Sequence, residues 1–450
     1  MRFNISNNQH FSGRKTVFVM MLSVVVSGLY AVTPVTLQEC IATGLEQNYQ
    51  IRMVRNLQKI SDNNVTLGNA GFLPIVDVSA TYSGTESNTR QEPRDGSSAV
   101  VQSGISNQQL SAGATLNWTI FDGFNIQANY SRLKELQQMG VLQTRMKVEG
   151  YISDLAAEYF NFVRQNIRLQ NLESAVKLSR ERLRIVEARY HIGNLSRLDL
   201  QQARVDFNTD SSKLIRQYEV LYSSRIALNR LMSVKEVEKP VVAADTGFVF
   251  DALLSKEQLL SETMSSNTYL LMAQREKNLK ALDLQSARSA NYPYVRLNGG
   301  YGYTENRYEV ATNRMQNNLG FNYGISIGYN IFDGFNRSRR QKNARIHIEN
   351  QEMAIEEMRI ALHSEFANLW MAYANNMDLT RLEKENLNHA KENYEIAMER
   401  YMLGDLAGIQ LREAQNNLLE AGERLLQSQY ATKLCEISLL EISGNVKRYL

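Results

Sequence analysis

Two different motifs recur in this chain at one common spacing. The stretch Ile-Phe-Asp-Gly-Phe-Asn occupies residues 120–125 and again residues 331–336, an offset of 211 (331 against 120). The turn Arg-Tyr-x-x-Gly occupies residues 189–193 and again 400–404, at the same offset of 211. A loop between the motifs would tolerate insertions, so a segment of equal length in both halves of the chain indicates a rigid rod. We therefore predict two copies of one unit, each with a long rigid element.

The N-terminus has the pattern of a secretory signal peptide, residues 1–31. Arg14 and Lys15 precede an apolar run over residues 16–30, which Ala31 follows. A retained membrane anchor is the less favoured alternative because the run is short for a transmembrane helix. The chain has 50 basic and 47 acidic residues, and residues 1–31 contain three of the basic ones and no acid. The mature chain is then balanced, which gives no reason to expect nucleic acid as a partner.

Each half is predicted to contain three helices. In the first half, the first helix covers about 35–69, the long helix about 126–190 and the return helix about 198–232. In the second half, the first helix covers about 256–290, the long helix runs from the second hinge to 401, and the return helix covers about 409–443. The first long helix has an apolar residue at every seventh position: Val141, Val148, Leu155, Phe162, Leu169, Val176, Leu183 and Tyr190. This heptad predicts a supercoiled rod roughly 96 Å long. The two shorter helices, stacked end to end, match the long helix beside them.

Alternating apolar and polar residues predict two strands in each half. The strands cover about 75–88 and 109–121, with a polar loop across 84–109, and about 294–304 and 318–332. A soluble sandwich would show the same alternation. Aromatic residues near the strand ends favour instead a transmembrane barrel with an apolar outer face and a polar lumen; they are Trp118, Tyr301, Tyr303, Tyr323 and Tyr329.

Four strands cannot close a membrane barrel, so several chains are expected to share one. Each hairpin enters and leaves on the same side, which places all helices on one side of the membrane. The predicted division is a signal peptide (1–31), a first repeat (32–232), a linker (233–255) and a second repeat (256–450). Whether the linker contains a short strand or a short helix stays open.

With its paired Phe-Asp-Gly hinges and paired Tyr-x-x-Gly turns, the chain resembles the TolC-like outer-membrane efflux family over about residues 35–443. The resemblance implies a fold of mixed α and transmembrane β structure. Three chains would form a 12-stranded outer-membrane β-barrel continuous with a periplasmic α-helical barrel. It also implies a passive exit channel for a tripartite efflux pump or a type I secretion system. The partners would be two further copies, a periplasmic adaptor, an inner-membrane transporter reached through it, and outer-membrane lipid.

The resemblance also implies roles for residues at the far tip of the rods. The adaptor would dock on the two turns, at Tyr190, Ile192, Gly193, Asn194 and Leu195 and at Tyr401, Leu403, Gly404, Asp405 and Leu406. Of the family's aperture residues, Asp199 matches, Gln410 stands where an aspartate is typical, and Leu406 replaces an arginine. Glu413 matches a further acidic position and would be either part of a threefold carboxylate ring or a solvated helix residue.

The hinges themselves are interpreted as structural. Asp122 and Asp333 are expected to cap the N-termini of the long helices, while Gly123 and Gly334 permit the sharp change of direction. A basic cluster follows the second hinge, at Arg337, Arg339, Arg340, Lys342 and Arg345. We interpret it as a solvated face, with contact to lipid phosphates as the alternative.

No catalytic constellation is visible in the sequence. The five histidines share no metal-ligand spacing, and no P-loop or nucleophile elbow occurs, so we predict no enzyme activity, cofactor or metal. Cys40 and Cys435 are the only cysteines and are expected to be two buried thiols rather than a disulfide. The rival functions are a soluble periplasmic coiled-coil scaffold and a secreted hydrolase with helical decoration. The scaffold would explain the heptads but not four amphipathic strands with aromatic ends, and the hydrolase lacks a catalytic constellation.

Overall fold

A computed structural model describes residues 34–251 and 254–450, so the predicted signal peptide lies outside the described residues. The first half contains α1 (Leu37–Gln47), α2 (Tyr49–Asn64), α3 (Leu67–Ala70), β1 (Ile75–Gln91), β2 (Val100–Phe121), α4 (Asn125–His191) and α5 (Arg197–Leu231). The second half contains α6 (Lys256–Ser266), α7 (Thr268–Ser289), β3 (Tyr294–Tyr308), β4 (Met315–Gly328), α8 (Asn336–Leu403), α9 (Gly408–Ile442) and a 3₁₀ helix (Val446–Tyr449).

The long rods repeat almost to the residue. Helices α4 and α8 have 67 and 68 residues, and α5 and α9 have 35 each. At 1.5 Å per residue the long helices are roughly 100 Å long. Leu155, Phe162 and Val176 from the predicted heptad are buried, whereas Val141 near the upper end is 40% exposed. The heptad is therefore a packing seam over its central part.

The four strands form one antiparallel sheet in the order β1-β2-β3-β4. The register aligns Val78, Ala114, Tyr301 and Phe321 across the sheet, and one residue further along it aligns Asp77 with Thr115, Gly300 and Asn322. The apolar residues of the alternating pattern therefore share one face, as the alternation predicts. That face is open, with Tyr323 82% and Ile327 71% exposed.

The predicted strand ends need correction. The first hairpin extends well into the expected loop at 84–109, with Thr85 paired to Asn107 and Gln91 to Val100, so the loop covers only residues 92–99. Backbone pairing does not require apolar side chains, and the polar composition concealed these strand ends. Strand β4 stops at Gly328 rather than near 332, because its last partner, Tyr294, begins β3 directly after Pro293.

The first helix of each half is also interrupted, which the sequence did not predict. Asn48 and Asn267 leave the helical conformation, with ψ of 124° in both. Each side-chain oxygen accepts a backbone N–H of the following helix. Each amide nitrogen donates to the end of a return helix, at Leu231 O (3.0 Å) and Ile442 O (2.9 Å). The asparagines thus join the stacked shorter helices end to end.

The helices pack in a defined order around the long rods. Between the asparagine breaks and the sheet, α2 packs on α4, α4 on α7 and α7 on α8. Between the breaks and the far tip, α5 packs on α4, α4 on α9 and α9 on α8. One large buried cluster lies near the breaks and includes Leu155, Tyr159 and Phe366. A second cluster lies at the far tip and includes Tyr401 and Leu411.

The segment between the halves has little regular structure among its described residues. Its one isolated bridge joins Ala243 to Val35. Cys40 and Cys435 are unpaired, with Cys40 buried and Cys435 half-buried. Burial raises the pKa of the Cys40 thiol to about 12. Within the described ranges, no helix is both long and apolar enough to cross a membrane.

Candidate functional site at the helical tip

The hinges connect the sheet to the rods and orient the tip. By position, the residues that precede α4 and α8 are Phe124 and Phe335, both with positive φ, so Asp122 and Asp333 are not the N-cap residues expected. Their carboxylates nevertheless accept the backbone N–H of the second helical residue, Ile126 (3.0 Å) and Arg337 (2.8 Å). Asp122 and Asp333 therefore still cap the long helices, although each lies two residues before the N-cap position.

The hinge glycines also have left-handed backbones, with φ of 73° at Gly123 and 65° at Gly334. At Gly123 space is limiting as well, because an added Cβ would lie 2.2 Å from the carbonyl oxygen of Ser289. Glycine is therefore required at position 123 for two reasons: the positive φ angle, and the close approach of α7.

The first tip turn follows the end of α4. Gly193 has φ of 80°, and the N–H of Asn194 donates to the carbonyl of Arg189 at 2.9 Å. Helix α5 then begins with a capping box: Ser196 Oγ accepts the N–H of Asp199 at 3.2 Å, and the Asp199 carboxylate accepts the N–H of Ser196 at 3.1 Å. Both helix ends are thus satisfied within the turn.

The second tip turn has the same plan. Gly404 has φ of 85°, and the N–H of Asp405 donates to the carbonyl of Arg400 at 2.9 Å. The Arg400 guanidinium also pairs with the Asp405 carboxylate at 2.9 Å. Positive φ at Gly193 and Gly404 is the conformation predicted for a helix-ending glycine.

Arg189 joins the two turns to each other. Its guanidinium donates to the carbonyls of Tyr401 (3.0 Å) and Met402 (2.8 Å) at the end of α8 and lies 5.0 Å from the centre of the Tyr401 ring. A cation here complements the negative end of the α8 dipole. Tyr401 is 2% exposed, and burial raises the pKa of its phenol.

The expected docking residues divide into two groups. The buried or half-buried ones hold the turns together: Tyr190, Leu195, Tyr401 and Leu406. The others project from the tip, among them Ile192 at 71% and Leu403 at 85% exposure, with Gly193, Asn194, Gly404 and Asp405 beside them. Exposed apolar side chains at both turns, beside exposed Leu198 and Ile409, form an apolar end surface.

The expected aperture residues do not form a cluster within one chain. Asp199 and Gln410 occupy equivalent positions, three residues after the residues that cap α5 and α9, and the side chain of each accepts the backbone N–H of that capping residue. Glu413 is exposed on the first turns of α9. A ring of Glu413 carboxylates would therefore require other copies of the chain.

A buried ionic cluster lies just above the turns, and the sequence analysis missed it. Arg412 of α9 pairs with Asp210 of α5 at 2.7 Å and approaches Asp206 at 3.8 Å. Arg182 of α4 pairs with Asp206, and Ser179 of α4 bonds to Asp210. Asp210 is 1% and Asp206 8% exposed. We call these five residues the tip cluster.

Pairing keeps Asp210 and Arg412 of the tip cluster ionised despite their burial. Burial acts to raise the pKa of Asp210, but hydrogen bonds from Arg412 and Ser179 and the charge of Arg412 outweigh it, so the pKa lies below its usual value. Burial likewise acts to lower the pKa of Arg412, and the bonds to Asp210 raise it above its usual value. The cluster therefore fastens α5 to α9 as a paired set of charges.

A cavity of about 370 Å³ opens beneath the tip cluster, between the first turns of α5 and α9. Arg182, Asp206 and Arg412 form its polar wall, while Leu198 and Ile409 lie at its apolar mouth. The tip of a single chain is thus an apolar end surface with a charged groove behind it.

Comparison with known proteins agrees with this architecture. The family model for the outer membrane efflux protein matches residues 41–234 and 259–445. The chain is 22% identical to the outer membrane protein TolC of Vibrio cholerae over 407 residues, covering 89% of each protein. It is 23% identical to the pyoverdine export outer membrane protein OpmQ of Pseudomonas aeruginosa, covering 85% of this chain and 76% of OpmQ.

Solved structures with the same fold include two outer membrane channels. The Campylobacter jejuni CmeC channel superposes with a TM-score of 0.75 at 16% identity, covering 91% of this chain and 85% of CmeC. The open state of the Neisseria gonorrhoeae MtrE channel superposes with a TM-score of 0.71 at 17% identity, covering 92% of this chain and 90% of MtrE. Because the family model spans both repeats, this chain belongs to the outer membrane efflux protein family and lies in the outer membrane, with its helical part in the periplasm.

Proposed function

We propose that three copies of this chain form a passive exit channel through the outer membrane, serving a tripartite efflux pump or a type I secretion system. The observation that carries this proposal is the open four-stranded sheet. Strands β1 and β4 are its edges, and most of its apolar face is exposed, above all on these two edge strands. Unpaired strand edges in lipid cost several kcal/mol per group, and three such sheets joined edge to edge give 12 strands and no free edge.

The helical layer has corresponding edges. On one side, α2 carries an exposed apolar stripe of Met53, Leu57 and Ile60. On the other side, α8 carries Ile346, Met353 and Ile360 at heptad spacing, 51%, 62% and 69% exposed. Since β1 and α2 lie at one edge and β4 and α8 at the other, one head-to-tail contact would join both layers. Repeating it by rotation closes a ring.

The polar face of the sheet would then line the lumen. Ser, Thr, Asn and Gly side chains on that face suit a water-filled passage. A passive channel needs a partner that supplies energy, and the apolar end surface with Ile192 and Leu403 is where we place a periplasmic adaptor. The adaptor would connect the channel to an inner-membrane transporter. A soluble periplasmic scaffold is set aside, because the chain lies in the outer membrane.

Trimer formation and conductance are tested together. Purified protein in detergent should have the mass of three chains, and it should conduct ions in a planar bilayer. Ile360→Glu places a charge in the proposed contact and should shift the protein towards monomers, because it buries an unpaired carboxylate. Ala361→Glu is the control, because Ala361 is exposed on the same helix and lies about 100° around the helix axis from Ile360. A conducting monomer, or equal behaviour of the two variants, would overturn the proposed interface.

A further inference from the structure

The start of α8 carries an unusual density of exposed cations. Arg339, Arg340, Lys342 and Arg345 lie within its first ten residues and are all exposed. We call these four the hinge patch. The positive end of the helix dipole lies here, so cations at this position are disfavoured by roughly 0.3–1 kcal/mol each unless an anion accompanies them.

The chain supplies little negative charge to the hinge patch. Asp333 pairs with Arg340 at 3.4 Å and already accepts the N–H of Arg337. No acidic residue follows in the sequence until Glu349. Among the described residues, Arg339, Lys342 and Arg345 form no ion pair. Three cations therefore have no carboxylate partner, although Arg339 donates to the neutral side chain of Asn336 at 3.3 Å.

The first repeat shows that the fold itself does not require these charges. At the offset of 211, the hinge patch corresponds to Ala128, Asn129, Ser131 and Lys134. Ala128 is 2% exposed and packs at the start of α4. Ala128 of α4 is therefore a packing residue, whereas the equivalent Arg339 of α8 is charged and exposed.

A neighbouring copy does not supply the missing anion either. The edge that would meet α8 in the proposed trimer is α2 and α3, residues 49–70. That stretch contains three basic residues, Arg52, Arg55 and Lys59, and one acid, Asp62, which already accepts a hydrogen bond from Gln137. The hinge patch corresponds to residues 128–134 of α4, and the part of the 49–70 stretch that contacts α4 at this level is about residues 62–70. Asp62 is the one acid there, and a single carboxylate does not balance three cations.

The hinge patch continues directly from the membrane-facing side of the sheet. The exposed apolar series of β4 proceeds through Tyr329 (52%) and Ile331 (83%). Arg337, which precedes the patch, donates to the Ile331 carbonyl at 3.0 Å and lies 5.8 Å from the centre of the Tyr329 ring. Because the helices are periplasmic, this is the level at which the inner leaflet ends.

We propose that the hinge patch binds the phosphate groups of anionic phospholipids in the periplasmic leaflet of the outer membrane. The charges are complementary, and clusters of Lys and Arg beside a membrane-spanning segment attract anionic lipid in this way. The inference depends on the outer-membrane location of the chain and not on conductance, and the proposed trimer enters only where a neighbouring copy is excluded as the source of the anion.

The test uses full-length protein in nanodiscs of mixed phosphatidylglycerol and phosphatidylcholine. The lipid that remains bound after transfer to detergent is quantified by mass spectrometry. Arg339→Gln/Lys342→Gln/Arg345→Gln removes only cations without an ion pair. We expect its preference for phosphatidylglycerol to fall by about fivefold per cation, and the wild-type preference to weaken with salt.

The control is Arg381→Gln/Lys384→Gln/Lys391→Gln, which removes the same charge from α8 roughly 65 Å further from the membrane. Arg381 pairs there with Asp378, but both side chains are largely exposed. The control variant should keep the wild-type lipid preference, and so should the hinge variant with lysines or arginines restored. Equal preference in the wild type and the hinge variant would overturn the proposal, as would an equal loss in the control or displacement of the lipid by inorganic phosphate. A changed trimer fraction with unchanged lipid preference would assign the patch to a second copy instead.

Discussion

Arg412→Met tests whether the tip cluster holds the periplasmic end together. Arg412 is the cation through which α9 reaches both carboxylates of α5. Without it, Asp210 keeps the hydroxyl of Ser179 and a remote contact with exposed Lys213 at 3.9 Å. Asp210 is 1% exposed, so solvent does not replace the lost partner. Methionine retains most of the volume, which leaves the charge as the main change.

The expected effect is large because the pair is buried. Removing one partner of a buried ion pair costs about 3–5 kcal/mol, whereas exposed pairs contribute about 0–1 kcal/mol. At about 1.4 kcal/mol per factor of ten, the separation of α5 from α9 at the tip should become at least a hundredfold more frequent. The sheet and the central core should not change, because they lie far along the rods.

Hydrogen exchange followed by mass spectrometry measures this local opening. Peptides from residues 200–215 and 408–420 should lose protection in Arg412→Met, while peptides from β2 should not. Arg400→Met is the matched control, because Arg400 pairs with Asp405 in the same tip at side-chain exposures of 53% and 71%. It should change protection only slightly.

Equal loss of protection in the two variants would refute the reasoning, since burial would then have no effect. A second variant distinguishes the loss of the ion pair itself from the cost of leaving a buried carboxylate without its cation. Asp210→Leu/Arg412→Met removes one carboxylate together with the arginine and keeps the Arg182–Asp206 pair. It should recover much of the protection, because well-packed apolar residues often replace a buried ion pair at little cost.

The pH dependence follows from the lowered pKa of Asp210. A carboxylate with a lowered pKa in the folded state stabilises that state fully above its ordinary pKa near 4, and the contribution is lost as pH falls through the lowered value. Tip protection should therefore be constant between about pH 5 and 8 and should decline only in stronger acid. A decline at about pH 6 would show that another group controls the tip.

Three further predictions concern the rods and the tip. Gly404→Val should destabilise the second turn by about 1–2 kcal/mol, because φ is 85° there although the space is open, and adaptor binding measured with the purified proteins should weaken while the trimer stays intact. Two residues inserted after Gln170 rotate the α4 seam by about 200° and should abolish export, whereas the same insertion within residues 92–99 should be tolerated; equal tolerance would argue against the seam. Glu413→Gln should weaken the cation preference in single-channel recordings if three carboxylates ring the aperture, and unchanged selectivity would place Glu413 outside it.

The elements with a strong period were predictable from the sequence. The heptads identified the rods to within a few residues, and the apolar alternation identified all four strands. The polar upper half of the first hairpin was missed because its pairing is made by the backbone, with Ser, Thr, Asn and Gln on both faces. The breaks at Asn48 and Asn267 were missed because one asparagine inside a helical pattern does not distinguish a tolerated residue from a cap.

The tip cluster was missed for a different reason. Asp206 and Asp210 are four residues apart on α5, a spacing typical of a solvated helix face. Only the packing of both α5 and α9 against α4 brings Arg412 to them. The sequence did contain a signal: at the offset of 211, the two aspartates correspond to Asn417 and Ala421, so the charges belong to one repeat alone.

The same asymmetry identifies both charged features of the chain. The backbone plan of the two repeats is nearly identical, so any residue required by that plan should recur at the offset of 211, as the hinge glycines and tip glycines do. Arg412 corresponds to Gln201, and three of the four hinge-patch cations correspond to uncharged residues. These charges therefore serve something that differs between the repeats. For Arg412 the difference is internal, since its partners are on α5. For Arg339, Lys342 and Arg345 of the hinge patch, no carboxylate partner lies within the described chain, and the lipid measurement decides whether the membrane provides an anion.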